Sequence, residues 1–162
     1  MQSRLNVDVL RVVVTESLSG EKRFEFLEHT ADAYIAAYGG SLIEAFENAA
    51  LAMFEVMTDV KNVVPSFEDS VAVEGEDEKA LLYGWLEALL VKYDTKEVLF
   101  SRFKIVNLVE SATGFRLEAK IWGEGFDPKR HLQKVGVKAV TYHRMEILKR
   151  RDGVTLKFIL DI

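Results

Sequence analysis

The chain of 162 residues predicts an α+β fold, with two helices packed on mostly antiparallel sheet. Three observations carry this reading. Two segments repeat apolar residues at helical spacing, the first behind a capping box and the second with acidic residues in its first turn. Short runs that alternate apolar and polar residues precede, separate and follow them. The last third carries two hairpin signals, Ser111-Ala112-Thr113-Gly114 and Arg150-Arg151-Asp152-Gly153. The length suits one domain, burying roughly 70% of its unfolded-chain surface. Residues 21–162 are expected to form it, with residues 1–20 as an N-terminal extension of uncertain order.

Residues 7–14 are strand-like and 15–20 read as a loop. Residues 21–27 and 33–38 are short strand candidates, the second ended by Gly39-Gly40. Ser41-Leu42-Ile43-Glu44 then forms a capping box, in which the serine accepts from the third helical amide and the glutamate reaches back to the cap amide. Leu42, Ala45, Phe46, Ala49, Ala50, Met53 and Met57 follow on one helical face and are expected to pack in the core. Residues 58–69, with Pro65, read as a loop, and 70–74 as a short strand. Gly75-Glu76-Asp77 leads into a second helix with acidic residues in its first turn, running to about residue 93. Leu82, Trp85, Leu89 and Tyr93 lie on one side of it, widened by Leu81, Leu86 and Leu90, and Gly84 inside it suggests close packing. Strands at 100–110 and 115–122 flank the first hairpin signal. An irregular loop at 123–136 carries Asp127-Pro128-Lys129-Arg130-His131, and residues 137–149 and 154–162 form the final hairpin.

Composition excludes several classes. Without cysteine there is no disulfide framework, thiolate zinc site or cysteine nucleophile, which is compatible with a reducing compartment and an expected cytoplasmic location. The N-terminus interrupts its apolar residues with Arg4, Asp8 and Arg11, so it lacks a signal-peptide core, and no run reaches transmembrane length. The net charge of −5 argues against broad adhesion to nucleic acid. The charge is uneven, however. Residues 41–97 are predominantly acidic, whereas 127–152 carry eight basic and three acidic residues and form a candidate basic surface. No serine elbow, P-loop, dinucleotide fingerprint or EF-hand loop is present.

The chemistry concentrates at Glu28-His29-Thr30-Ala31-Asp32, a polar cluster between two apolar strands, whose charges need partners or a ligand. His29, His131 and His143 are the three histidines, without the tight ligand spacing of a zinc motif. Asp161 interrupts an apolar ending and shares a strand face with Thr155, Lys157 and Ile159. If the last strand lies beside the polar cluster, Asp32 and Asp161 converge, and two close carboxylates must share a proton, bind a cation or pair with a base. With His143 they would also suit general acid–base work, though no substrate-binding motif accompanies them.

Phe26-Leu27-Glu28-His29-Thr30-Ala31-Asp32, the helical block Glu44 through Phe54, Met57-Thr58-Asp59, Asp127-Pro128-Lys129-Arg130-His131, Val137-Lys138-Ala139-Val140-Thr141-Tyr142-His143 and Leu160-Asp161-Ile162 occur in this order. Together they resemble the archease family. The resemblance runs from about residue 23 onward and leaves out Arg4 to Gly20. Glu28 stands where aspartate is common, and Ala33-Tyr34 replaces a small aliphatic pair.

The resemblance implies strand-helix-strand-strand modules and a helper of the GTP- and metal-dependent tRNA-splicing RNA ligase, not an enzyme itself. Such a helper promotes guanylylation of the ligase's active-site histidine and repeated turnover. It also implies a divalent cation, Ca2+ foremost with Mg2+ or Mn2+ as alternatives, held by Asp32, Asp161 and an oxygen of Ile162. As the last residue of the sequence, Ile162 would offer a carboxylate besides its carbonyl. His29, His143, Lys138, Arg130 and His131 are expected to support that site or face the partner. The competing reading is an RNA-binding chaperone or adaptor using Lys129, Arg130, Lys134, Lys138 and Arg144; a third is a small metal-dependent hydrolase at the same carboxylates.

Overall fold

The computed structural model describes residues 15–16, 21–27 and 32–162. In chain order these form β1 (Thr15–Glu16), β2 (Lys22–Leu27), β3 (Ala33–Gly39), α1 (Leu42–Met57), β4 (Phe67–Gly75), α2 (Glu78–Lys96), β5 (Val98–Ser111), β6 (Gly114–Gly125), β7 (Ala139–Arg150) and β8 (Gly153–Asp161). A 3-10 turn, Val60–Asn62, follows α1. One sheet has the order β1-β2-β3-β8-β7 and the other β4-β6-β5, with antiparallel pairing throughout. Helix α1 packs on β3 and β8 of the first sheet and β5 of the second, and α2 packs on β4 and β7. Both helices thus touch both sheets, and the core is the layer between them. Among the described residues no helix is long and apolar enough to cross a membrane.

The α1 face expected in the core is there: Ala45, Phe46, Ala49, Ala50, Met53 and Met57 are buried. Burial of such side chains contributes about 1.5–3 kcal/mol each for the larger ones. Ser41 caps α1 by accepting from the Glu44 amide at 3.2 Å, but the Glu44 carboxylate accepts from the Gly40 amide at 3.4 Å, one residue upstream of the expected partner. Phe54 organises the aromatic centre, edge-on to Tyr93 and Phe100 and stacked on Phe103 at 5.7 Å. The buried Trp85 indole of α2 donates to the Phe46 carbonyl of α1 at 2.9 Å, so the polar edge of a core tryptophan is satisfied while the helices are tied together.

Several boundaries differ from the sequence reading for physical reasons. Thr15–Glu16, expected in a loop, pairs with β2; residues 7–14 lie outside the described residues. Strand β4 begins at Phe67, three residues early, because Phe67 continues the ladder against Gly123 of β6. Likewise β6 extends to Gly125 to pair with Val98 at the start of β5. Helix α2 continues to Lys96 and stops where Glu97 takes a left-handed conformation (φ 52), its amide donating to the Tyr93 carbonyl.

Gly84 does not mark close packing: a Cβ there would find nothing nearer than 3.9 Å. Gly123 does, since a Cβ would lie 1.9 Å from the Leu99 carbonyl oxygen. Gly84→Ala should therefore raise stability by about 0.5–1 kcal/mol through helix propensity. Gly123→Ala should lower it by about 3 kcal/mol through the backbone clash. Urea unfolding of both variants measures the contrast.

Candidate metal centre

Strand β3 pairs with β8 through Ala33↔Leu160, Tyr34↔Ile159 and on to Gly39↔Val154. The adjacency that the sequence left conditional is therefore present. Continuing the ladder one residue outward sets Asp32 opposite Asp161. Strand faces alternate, and Ile35 with Phe158 points into the core. Asp32 and Asp161 thus share the opposite face with Tyr34 and Ile159. Asp32 is half-buried and Asp161 exposed. Directly opposed side chains on one face place their Cβ atoms about 4.5–5.5 Å apart, and like charges so placed repel.

On the other side of β8, Ala139 of β7 lies opposite Asp161, and the Lys138 amide donates to the Asp161 carbonyl at 2.7 Å. Asp161 is thereby held from the β7 side, and its neighbour Leu160 from β3. Ile162 is half-buried against the core. The donors at this end are oxygens, the set that suits a hard divalent cation. Among the described residues no group of three or more His, Asp or Glu side chains is gathered as a metal cluster, so the structure offers two carboxylates with main-chain oxygen. His29 lies outside the described residues. Lys138 is exposed beside Asp161.

His143 is exposed in a wide bulge of β7. Thr141 pairs with Ile159 and Glu146 with Lys157, so residues 142–145 stand opposite Phe158 alone. Arg144 in this bulge has φ 57, and its guanidinium lies 5.2 Å from the ring centre of Tyr34, on the sheet face of Asp32. Tyr142 stacks on Tyr83 of α2 at 4.3 Å, bracing the bulge from the other side.

The loop between β6 and β7 is built around two buried polar groups. Asp127 turns the chain, its carboxylate accepting from the Lys129 amide at 2.9 Å and its carbonyl from the Arg130 and His131 amides. His131 is buried; Nδ1 accepts from the Asp127 amide at 2.9 Å, which leaves Nε2 as the donor to Glu124 at 2.5 Å. Arg130 also donates to Glu124, at 2.7 Å. Burial alone would raise the Glu124 carboxyl, but hydrogen bonds from His131 and Arg130 outweigh it and hold the group below the ordinary glutamate range.

Lys134 was expected on a basic surface, yet its side chain is only 6% exposed. Its ammonium contacts Glu55 Oε1 at 3.0 Å, the Glu55 carbonyl at 3.2 Å and Asp59 Oδ1 at 2.9 Å. The basic set of the RNA-binding reading thus loses Lys134 to the interior and has Arg130 paired to Glu124 and Asp127. The sequence reading missed Glu55, Asp59 and Glu124 as partners. Glu55 at 7% and Glu124 at 9% exposure are buried carboxylates, a feature that alternation within each element does not reveal.

A depressed carboxyl stabilises the fold above its ordinary value of 4.5, and that contribution is lost as pH falls through the native value. Glu124→Gln should cost about 2 kcal/mol at neutral pH and flatten the loss of stability at lower pH. Thermal unfolding of wild type and variant from pH 7 to pH 3 tests this.

The Archease protein family matches residues 24–162. The protein archease of Sulfurisphaera tokodaii is 50% identical over 141 residues, covering 87% of this chain and 99% of that protein. The protein archease of Pyrococcus abyssi is 47% identical over 132 residues, 82% and 92% of the two chains. The solution structure of Methanobacterium thermoautotrophicum protein 1598 superposes with a TM-score of 0.77 at 46% identity, covering 86% of this chain and 99% of that one.

Proposed function

The chain belongs to the archease family, and on that premise we propose that it is an accessory protein of the GTP-dependent tRNA-splicing RNA ligase. In this reading it promotes guanylylation of the ligase's active-site histidine and repeated turnover, and contributes no catalytic residue of its own. The part presented to the ligase is the end of β3 and β8, where Asp32, Asp161 and a main-chain oxygen of Ile162 would hold a divalent cation, with Ca2+ favoured and Mg2+ or Mn2+ as alternatives. The observation that supports this is the β3–β8 register, whose outermost pair, Ala33↔Leu160, is the chain neighbour of both Asp32 and Asp161.

The donor set fits such an ion. Two carboxylates and main-chain oxygen suit a hard cation, which takes several oxygen ligands and accepts flexible geometry when it is Ca2+. When bound, the ion would supply positive charge near the ligase's nucleotide phosphates. The chain's own groups do the positioning. The Lys138 amide holds the Asp161 backbone. The exposed Lys138 ammonium adds a cation beside the site, and Arg144, on Tyr34, shares the sheet face of Asp32.

The RNA-adaptor reading keeps Lys129, Lys138 and Arg144 as exposed cations, with Arg130 engaged by Glu124 and Asp127, and tRNA binding that falls steeply with salt would favour it. Asp32→Ala and Asp161→Ala should each leave the unfolding midpoint near wild type and abolish stimulation of ligase guanylylation. Both variants stimulating fully would sink the metal-tip mechanism. Turnover of RNA or nucleotide in the absence of ligase would favour the hydrolase reading instead.

A further inference from the structure

We propose that Lys134 is a positioning residue for the β3–β8 end, locking the loop whose last residue holds Asp161. The inference rests on the proposed cation site, but its geometry stands independently. Helix α1 ends with three carbonyls beyond the reach of its own amides, those of Glu55, Val56 and Met57, and has no basic residue in its last turn. The loop supplies what is missing. The Lys134 amide donates to the Met57 carbonyl at 3.0 Å, the Val135 amide to the Val56 carbonyl at 3.3 Å, and the Lys134 ammonium to the Glu55 carbonyl at 3.2 Å.

The same ammonium meets Glu55 Oε1 and Asp59 Oδ1, and the remaining Glu55 oxygen accepts from the Val60 amide at 3.0 Å. The Lys134 ammonium and both Glu55 carboxylate oxygens are matched, while the buried Thr58 hydroxyl beside them has no partner among the described residues, so the ion-paired part of the cluster favours one arrangement. From this anchor the chain runs three residues, through buried Val137, to the Lys138 amide on the Asp161 carbonyl. Residues 126–138 carry no strand, so Lys138 is placed by the β7–β8 pairing that begins at Ala139↔Asp161 on one side and by the Lys134 clamp and the His131–Glu124 contact on the other. The clamp therefore fixes the loop side of Lys138, where its amide meets the Asp161 carbonyl.

The test is site-resolved amide exchange together with Ca2+ titration by calorimetry, on wild type, Lys134→Met and Lys134→Arg. Should Lys134→Met fail to fold, Lys134→Met/Glu55→Gln replaces it, removing the more buried of the two carboxylates that lose the ammonium. The proposal expects the Lys138 amide to exchange about tenfold faster in the Met variant, with Ile35 and Phe158 in the β3–β8 ladder unchanged. It also expects weaker Ca2+ binding, and partial recovery of both in Lys134→Arg. Unchanged Lys138 exchange in a folded variant overturns it, as does acceleration spread evenly over the core, which marks ordinary structural support. If wild type binds no Ca2+ yet Lys138 exchange responds as expected, the positioning role holds and the cation reading fails. If Ca2+ binding is intact and indifferent to Lys134→Met, the cation reading survives and the positioning role falls.

Discussion

The antiparallel pairing of β3 with β8 is the constraint on which the rest depends. It joins residue 33 to residue 160, so the beginning and end of the fold close on one another in the middle of a five-stranded sheet. A one-residue slip would exchange the faces of every side chain in the ladder. Ile35, Ala37, Leu156 and Phe158, all fully buried, would then leave the core. The hydrophobic demand of these residues thus fixes the register, and the register fixes where Asp32 and Asp161 stand. The site inherits its geometry from the core and needs no rigid loop of its own.

What the β3–β8 ladder does not determine is the path of the loop that leads into β7. β7 pairs with β8 on both sides of its four-residue bulge, and the thirteen residues before it carry no strand. Their position comes from polar groups taken out of water: His131 on Glu124, and Lys134 on Glu55 and Asp59. Such groups are costly unless fully matched, and removing one partner of a buried ion pair typically costs about 3–5 kcal/mol. The loop is thereby as specified as a strand, by electrostatics in place of a hydrogen-bond ladder. Its start, at Phe126, is also tied to the Glu97 carbonyl that ends α2.

Much of this was legible in the chain. The periodicity of α1 located the core face because one helix side meets β3 and β5 along its whole length. The alternation near residue 161 placed Asp161 on the face of Thr155, Lys157 and Ile159, as the register has it. The archease resemblance gave the fold, and the family match over residues 24–162 supports it. Less legible was whatever depends on contacts between distant segments. Lys134 reads as a surface cation because its partners lie 79 residues away at Glu55. Gly84 reads as a packing glycine because the sequence does not say that Val73 and Glu74 stand 3.9 Å off. The bulge at residues 142–145 leaves no signature in a run that otherwise continues as strand.

The central claim is that Asp32 and Asp161 act as one site. A double-mutant cycle of Asp32→Asn and Asp161→Asn, read as Ca2+ affinity by calorimetry, addresses it most directly. The account predicts that each single variant loses most of the affinity and that the double variant loses little more, the strong non-additivity of two groups sharing one ion. Additive losses, or a wild-type chain without measurable Ca2+ binding, would contradict it.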